Sequence, residues 1–450
     1  MPLAQNGFCR LLPAFCLVIV AVWLFTSSCK SPGKAEINIT DSLLLIQLPE
    51  PGSVSPAEME HIKKVCQIWY DTVLKPKSFN GGMIVAKEGN IIFEKYSGTG
   101  HLHGNDTITQ NTALHIASAS KTFTAMAMLK LMQEGKVNLD DEFSTYFPSF
   151  NYPGVTIRSL LNHRSGLPNY NYFMDALGWD KTRFVSNADV LDYLVTRKAE
   201  LPDVTRPDSH FSYCNTNYAL LALLIEKLSG TTYADYLSRS FFKPLQMNDT
   251  YVFTLADTAT AVPSYNWRGS PEAFNFLDQV YGDKNIYTTP RDLLIWDRAL
   301  SGHTLFTKET LDLAYAPYSN EKPGIRNYGL GWRMNIFPDG NKIIYHNGWW
   351  HGSNATFIRL IKEKATIIVI GNRFTRAVYH AKVLCSLFGN YYNPIEEEET
   401  GVVKSLDEIL SDSIKLLLKN VVPESKKHDS LQRDPKIKPD INQKTNMPKQ

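Results

Sequence analysis

The sequence carries almost no net charge. Its 47 Lys and Arg nearly balance 45 Asp and Glu, giving +2 over 450 residues. That removes any general pull toward polyanions, and no nucleic-acid partner is expected. Cysteine is scarce, with six residues. Cys9 and Cys16 lie in an apolar N-terminal run and Cys29 just after it, which leaves Cys66, Cys214 and Cys385. Three distant thiols allow at most one bridge, so a disulfide framework is excluded and buried thiols are expected. No fixed-period repeat is visible. There is no Gly-x-Ser-x-Gly elbow, no His-Glu-x-x-His and no Gly-Lys-Ser/Thr. Their absence speaks against an α/β-hydrolase, a zincin and a P-loop enzyme. The "HLH" at His101 and His103 reads as a loop.

The apolar run "LLPAFCLVIVAVWLF" has 15 residues, short of the roughly 20 that a membrane-spanning helix needs. With Arg10 before it, it reads as a secretory signal. "TSSCK" follows, and small residues before Cys29 resemble a lipobox, although Thr26 stands where Leu is commoner. Two readings stay open: lipidation of Cys29, or a plain signal or uncleaved anchor. The expected organisation is a signal over 1–29, a leash over 30–54, one folded domain over 55–395 and a tail over 396–450. The tail is expected to be partly helical and then disordered. From Ser425 onward it holds six Lys and one Arg against three Asp, with little apolar surface to bury. Lipidation would tether an exported, periplasmic or cell-surface domain to a membrane.

The folded part opens on "SPAEMEHIKKVCQIWYDTVL". Ser55 suits an N-cap, Pro56 the first helical position, and Glu58 a capping box. Met59, Ile62, Cys66, Trp69 and Val73 fall at helical spacing. Met83–Ala86 and Ile91–Phe93 flank the turn "KEGN" and predict a hairpin. From about residue 105 to 260 the pattern is mainly helical. "TFTAMAMLKLMQEG" ends at Gly135 and the nearly all-apolar "NTNYALLALLIEKLSG" at Gly230, both helix-stopping positions. "RDLLIWDRALSG" is a further helix. The β-rich runs "NKIIYHN", "SNATFIRLI" and "ATIIVIGN" follow, then an amphipathic helix through "AVYHAKVLCSLFG". The fold expected is α/β of the α+β type. One antiparallel sheet is shared by the two ends of the domain and flanked by the N- and C-terminal helices, with a mostly helical block inserted.

One stretch suggests chemistry. In "HIASASKTFTAMAMLKLM", Ser118 precedes Lys121 by three residues, one helical turn. A desolvated lysine can serve as the base that a serine nucleophile needs, and a helix N-terminus favours a developing oxyanion. Spacing alone also fits a simple helix cap, since Ser-x-x-Lys recurs at Ser27, Ser31, Ser240 and Ser319. Tyr213 and Asn215 stand at a loop-to-helix junction in "HFSYCNTNY", and His346 and Gly348 lie in the strand-like "YHNG".

The order Ser-x-x-Lys, Tyr-x-Asn, His-x-Gly resembles the serine β-lactamase and D,D-peptidase superfamily, in its class C-like branch. "LLNHRSGLP", "PLQMNDT", "YGLGW" and "HNGWWHGSNATF" agree in sequence order, so the likeness spans residues 58 to 392. The resemblance implies that Ser118 is acylated, with Lys121 as its base and Tyr213 as the second proton-transfer residue. It implies that Asn215 orients the substrate amide and that His346 supports Tyr213 and a substrate carboxylate. The N–H groups of Ser118 and Trp349 would form the oxyanion hole. No metal or organic cofactor is implied. "HNG" replaces the Lys-Thr-Gly of true β-lactamases, which disfavours an antibiotic-destroying role. Trp349 and Trp350 are either pocket wall or packing. The expected protein is an exported serine hydrolase, a monomer, acting on a small peptide or ester. Rival readings are a true β-lactamase and a non-catalytic lipoprotein that binds cell-wall peptides.

Overall fold

The computed structural model describes residues 45–391, apart from His103 and Asp203. The signal segment, Cys29, most of the leash and the basic tail lie outside the described residues.

The chain enters through helix α1 (Pro56–Trp69). The Ser55 hydroxyl accepts the Glu58 N–H at 3.2 Å, so the expected cap forms, although only the Ser55 half of the box is made. Ile62, Cys66, Trp69 and Val73 are buried as the spacing predicts. Met59 instead lies on the exposed side and Val65 takes an inward place. A wider turn over Tyr70–Leu74 carries the chain out of the helix.

Seven strands build the main sheet: β1 (Gly81–Lys87), β2 (Asn90–Ser97), β3 (Arg326–Tyr328), β4 (Arg333–Ile336), β5 (Lys342–Trp350), β6 (Ser353–Leu360) and β7 (Ala365–Gly371). Their spatial order is β2-β1-β7-β6-β5-β4-β3, antiparallel throughout. The N-terminal hairpin therefore docks on the last strand, with Gly81 opposite Gly371, and the two ends of the domain share one sheet.

Both faces of the sheet are covered, which is why "TIIVIG" is apolar at consecutive positions rather than at alternate ones. Ile367 and Val369 face α1 and the C-terminal segment, packing with Trp69, Leu384 and Cys385. Ile368 and Ile370 face the inserted block, packing with Phe123, Leu220 and Trp296. The period of two in a strand thus assigns successive residues to two different cores. The three described thiols are unbridged and buried. Burial also holds the Cys66 and Cys385 thiols well above the usual range, the latter at about 12.

The inserted block is built on α2 (Lys121–Gln133), α3 (Asn215–Ser229) and α4 (Pro290–Ser301). Helices α2 and α3 stop where the glycines stand, with Gly135 and Gly230 at φ +71° and +70°. The C-terminal segment departs from expectation. Arg376–Leu387 is a run of 3₁₀ turns rather than an α-helix. Among its seven buried residues, Val378, Ala381, Leu384 and Leu387 fall three apart, the period at which side chains eclipse in a 3₁₀ helix.

Candidate active site

Ser118 lies in a 3₁₀ turn, Ala117–Ser120, that feeds directly into α2. Ala117 adopts φ +47°, a left-handed conformation that costs a non-glycine residue free energy and turns the chain sharply before the serine. From Leu114 to Leu129 every residue is buried except Ser118. The fold therefore presents one hydroxyl from an otherwise dry segment.

Lys121 is fully buried and one turn further on. Its Nζ lies 3.1 Å from Ser118 Oγ and 2.8 Å from the Asp283 carbonyl oxygen. Two donors are thus committed, and the buried amine is held against the serine oxygen. Aromatic faces complete its surroundings, with the Tyr213 ring centroid at 5.0 Å and that of Tyr218 at 5.6 Å. The Asp283 backbone is itself pinned. Tyr170 Oη donates to Asp283 Oδ2 at 2.9 Å, and the buried Lys284 ammonium lies 3.5 Å from Oδ1.

Tyr213 and Asn215 flank the start of α3. Among the described residues, Tyr213 Oη and Asn215 Oδ1 have no hydrogen-bond partner, whereas Asn215 Nδ2 donates to Asn171 Oδ1 at 2.9 Å. These two oxygens, like His163 Nε2, are uncommitted polar atoms of the site, fit for a proton or a substrate amide.

His346 reaches the same cluster from β5, its ring centroid 6.4 Å from that of Tyr213. Its Nδ1 lies 2.7 Å from the Asn347 carbonyl, so Nδ1 must be the donor, and Nε2 is left to accept from Tyr328 Oη at 3.2 Å. Burial, aided by the Arg333 and Lys121 charges, holds the ring well below the usual histidine range. His346 is accordingly a neutral imidazole. The permanent cation nearest the phenol is Arg333, whose guanidinium carbon lies 5.0 Å from the Tyr213 ring centroid.

Gly348 allows β5 to close on the nucleophile turn. A Cβ there would meet the Ile116 carbonyl oxygen at 2.0 Å, an impossible approach for any other residue. The N–H of Trp349 follows that contact directly, where the resemblance puts the second oxyanion donor. The Trp349 side chain is 46% exposed and leans on Phe374, with centroids 5.5 Å apart. Trp350 turns inward, its Nε1 donating to Asp278 Oδ1 at 2.5 Å.

The structure thus joins Ser118, Lys121, Tyr213 and His346, residues scattered over more than 200 positions. It also brings in groups that the sequence reading did not name. His163 is buried under Tyr213 with centroids 4.4 Å apart, and its Nδ1 accepts the Cys214 N–H at 3.1 Å. Burial and the Lys121 charge hold it, too, well below the usual range. Arg333, Tyr328 and the Asp283 carbonyl are the others. His163 and Tyr328 sit inside "LLNHRSGLP" and "YGLGW", so a signal existed for them. A backbone carbonyl leaves none.

Residues 75–383 match the Beta-lactamase family, and the chain belongs to it. This places it in the serine β-lactamase/transpeptidase superfamily of serine hydrolases. Penicillin-binding protein 4* of Bacillus subtilis is 29% identical over 365 residues, covering 77% of this chain and 80% of that one. The penicillin-binding protein of Bacillus halodurans shares the fold with a TM-score of 0.61 at 23% identity, over 68% of this chain and 95% of that one. The D-amino acid amidase of Ochrobactrum anthropi matches with a TM-score of 0.57 at 23% identity, over 69% and 91%.

Proposed function

We propose that the protein is an exported serine hydrolase that cleaves small D-amino-acid amides, D-peptides or esters through an acyl-enzyme on Ser118. The observation that carries this reading is the 3.1 Å approach of the buried Lys121 amine to Ser118, the one half-buried side chain in an otherwise buried nucleophile segment. Lys121 takes the Ser118 proton as Oγ bonds to the substrate carbonyl carbon. The N–H groups of Ser118 and Trp349 receive the developing oxyanion. Tyr213, between Lys121 and the cleft, passes the proton to the departing nitrogen or oxygen as the acyl bond breaks. Water then attacks the acyl-enzyme and restores the serine. Asn215 Oδ1 accepts from the substrate amide.

The D-peptide preference draws on the relatives, among them penicillin-binding proteins and a D-amino acid amidase. An N-terminal lipid on Cys29 would hold the domain at a membrane surface. The test is a panel of p-nitrophenyl esters, D-alanyl amides and dipeptides, and nitrocefin, run with wild type and Ser118→Ala. Turnover of esters and D-alanyl amides that vanishes in the variant supports the reading. Fast nitrocefin turnover would shift the substrate class to β-lactams. Binding of cell-wall peptides without any turnover would make the protein a receptor instead.

A further inference from the structure

The peptide between Gly348 and Trp349 lies where the sheet gives β5 the least support. Strand β4 pairs with β5 only from Lys342 to Tyr345, so beyond that point β5 is paired along one edge alone, by β6. A donor on such a strand end is only as well aimed as its other supports make it. Two side chains supply them. The tip of the strand is tied by Asp278, a buried carboxylate that accepts from Trp350 Nε1 at 2.5 Å and from His351 Nε2 at 3.0 Å. Burial pushes this carboxyl up, but its hydrogen bonds, that of His351 foremost, outweigh burial and hold it below the usual carboxylate range. It thus remains an acceptor for both donors.

The second support touches the peptide itself. Tyr379, half-buried in the C-terminal segment, donates its hydroxyl to the Gly348 carbonyl oxygen at 2.9 Å. The Gly348 carbonyl and the Trp349 N–H belong to one planar unit and point in opposite directions. A donor fixed on the carbonyl therefore sets the direction of the N–H. It also polarises the amide, which strengthens the N–H as a donor. The sheet lies between the two partners of this peptide. Tyr379 packs with the α1 core, while Gly348 abuts the Ile116 carbonyl on the nucleophile side. The hydroxyl holds the peptide from behind.

We propose that Tyr379 is a positioning residue of the oxyanion hole, aiming the Trp349 N–H at the oxygen that becomes negative when Ser118 attacks. The proposal rests on the acyl-transfer reading above and adds to it a residue outside every ordered motif. Tyr379 acts through the Gly348 carbonyl and not on the reacting atoms.

The test compares p-nitrophenyl acetate with its thiono analogue, in which sulfur replaces the carbonyl oxygen. Sulfur is a larger and weaker acceptor, so donors placed for an oxyanion favour the oxygen ester in the transition state. The acylation rate is read from the burst of released p-nitrophenolate. Wild type is expected to prefer the oxygen ester. Tyr379→Phe removes only the hydroxyl. It should slow acylation by the oxygen ester about tenfold, less than the loss of a direct oxyanion donor, and should slow the thiono ester clearly less. The oxygen preference therefore shrinks. Because the readout is a ratio, a smaller fraction of folded enzyme leaves it unmoved, and a displaced Lys121 slows both esters alike. Equal slowing of the two esters, an unchanged rate, or a wild type without oxygen preference overturns the role of Tyr379 and leaves the acyl-transfer reading standing. Failure of p-nitrophenyl acetate to acylate Ser118 in wild type overturns both.

Discussion

The two walls of the cleft are built in opposite ways. The nucleophile wall is local: Ser118 and Lys121 are three residues apart, on one turn, and Lys121 directs two hydrogen bonds to protein oxygens. The proton-transfer wall is assembled from four separate segments that supply His163, Tyr213, Arg333 and His346. Its key atoms, Tyr213 Oη and Asn215 Oδ1, have no protein partner among the described residues. The local wall is a rigid, satisfied unit, whereas the assembled wall keeps unused hydrogen-bonding capacity. The chemistry needs both, since a nucleophile must be fixed and a proton carrier must be able to change partners.

Substitutions can separate the two walls. Ser118→Ala should abolish covalent labelling by an ester or penicillin probe, as read by intact-protein mass spectrometry. Equal labelling of the variant would remove Ser118 as nucleophile. Lys121→Met should lower the acylation rate by about 10³-fold, within the range of general acid–base effects. Its thermal stability should stay level or rise, because a buried amine is exchanged for an apolar side chain of similar length. A proportional loss of stability and rate would mean that Lys121 is structural. Tyr213→Phe should cost about 10²-fold in kcat with an unchanged melting temperature, since its hydroxyl has no protein bond to lose. A fall in melting temperature would show that the assembled wall is held together by that hydroxyl.

The smallest effect concerns protons. His163 and His346 are held well below the ordinary histidine range by burial. Each therefore stays neutral in the folded state while it gains a proton in the unfolded one. Their contribution is complete above the unfolded value of about 6.5 and is lost progressively as pH falls below it. Denaturant titrations at pH 7.5 and 5.5 should show this loss. His346→Gln should flatten the slope by about half of the two-histidine effect, and an unchanged slope would mean that His346 is charged in the folded protein.

Much of the local wall was legible. A serine followed one turn later by a lysine, then by an apolar helix with a stop glycine, is a statement about neighbours in sequence. The hairpin at residues 81–97 was legible for the same reason, because its turn and its alternation lie within a few residues of each other. The C-terminal amphipathic helix forms with 3₁₀ turns, a choice of backbone hydrogen bonding that its apolar pattern does not reveal. Arg333 carried no signal at all. Its place beside the Tyr213 ring depends on β4 joining the sheet next to β5, far along the chain from Tyr213.

The sequence by itself determined the elements, the order of the chemical groups along them and the superfamily, because propensity, periodicity and motif order are properties of nearby residues. Only the tertiary structure decided the burial of His346 beside Tyr213 and the anchoring of Lys121 to the Asp283 carbonyl. Each of those depends on contacts between segments far apart in the chain, and burial is settled only when the sheet, the inserted block and the closing strands come together.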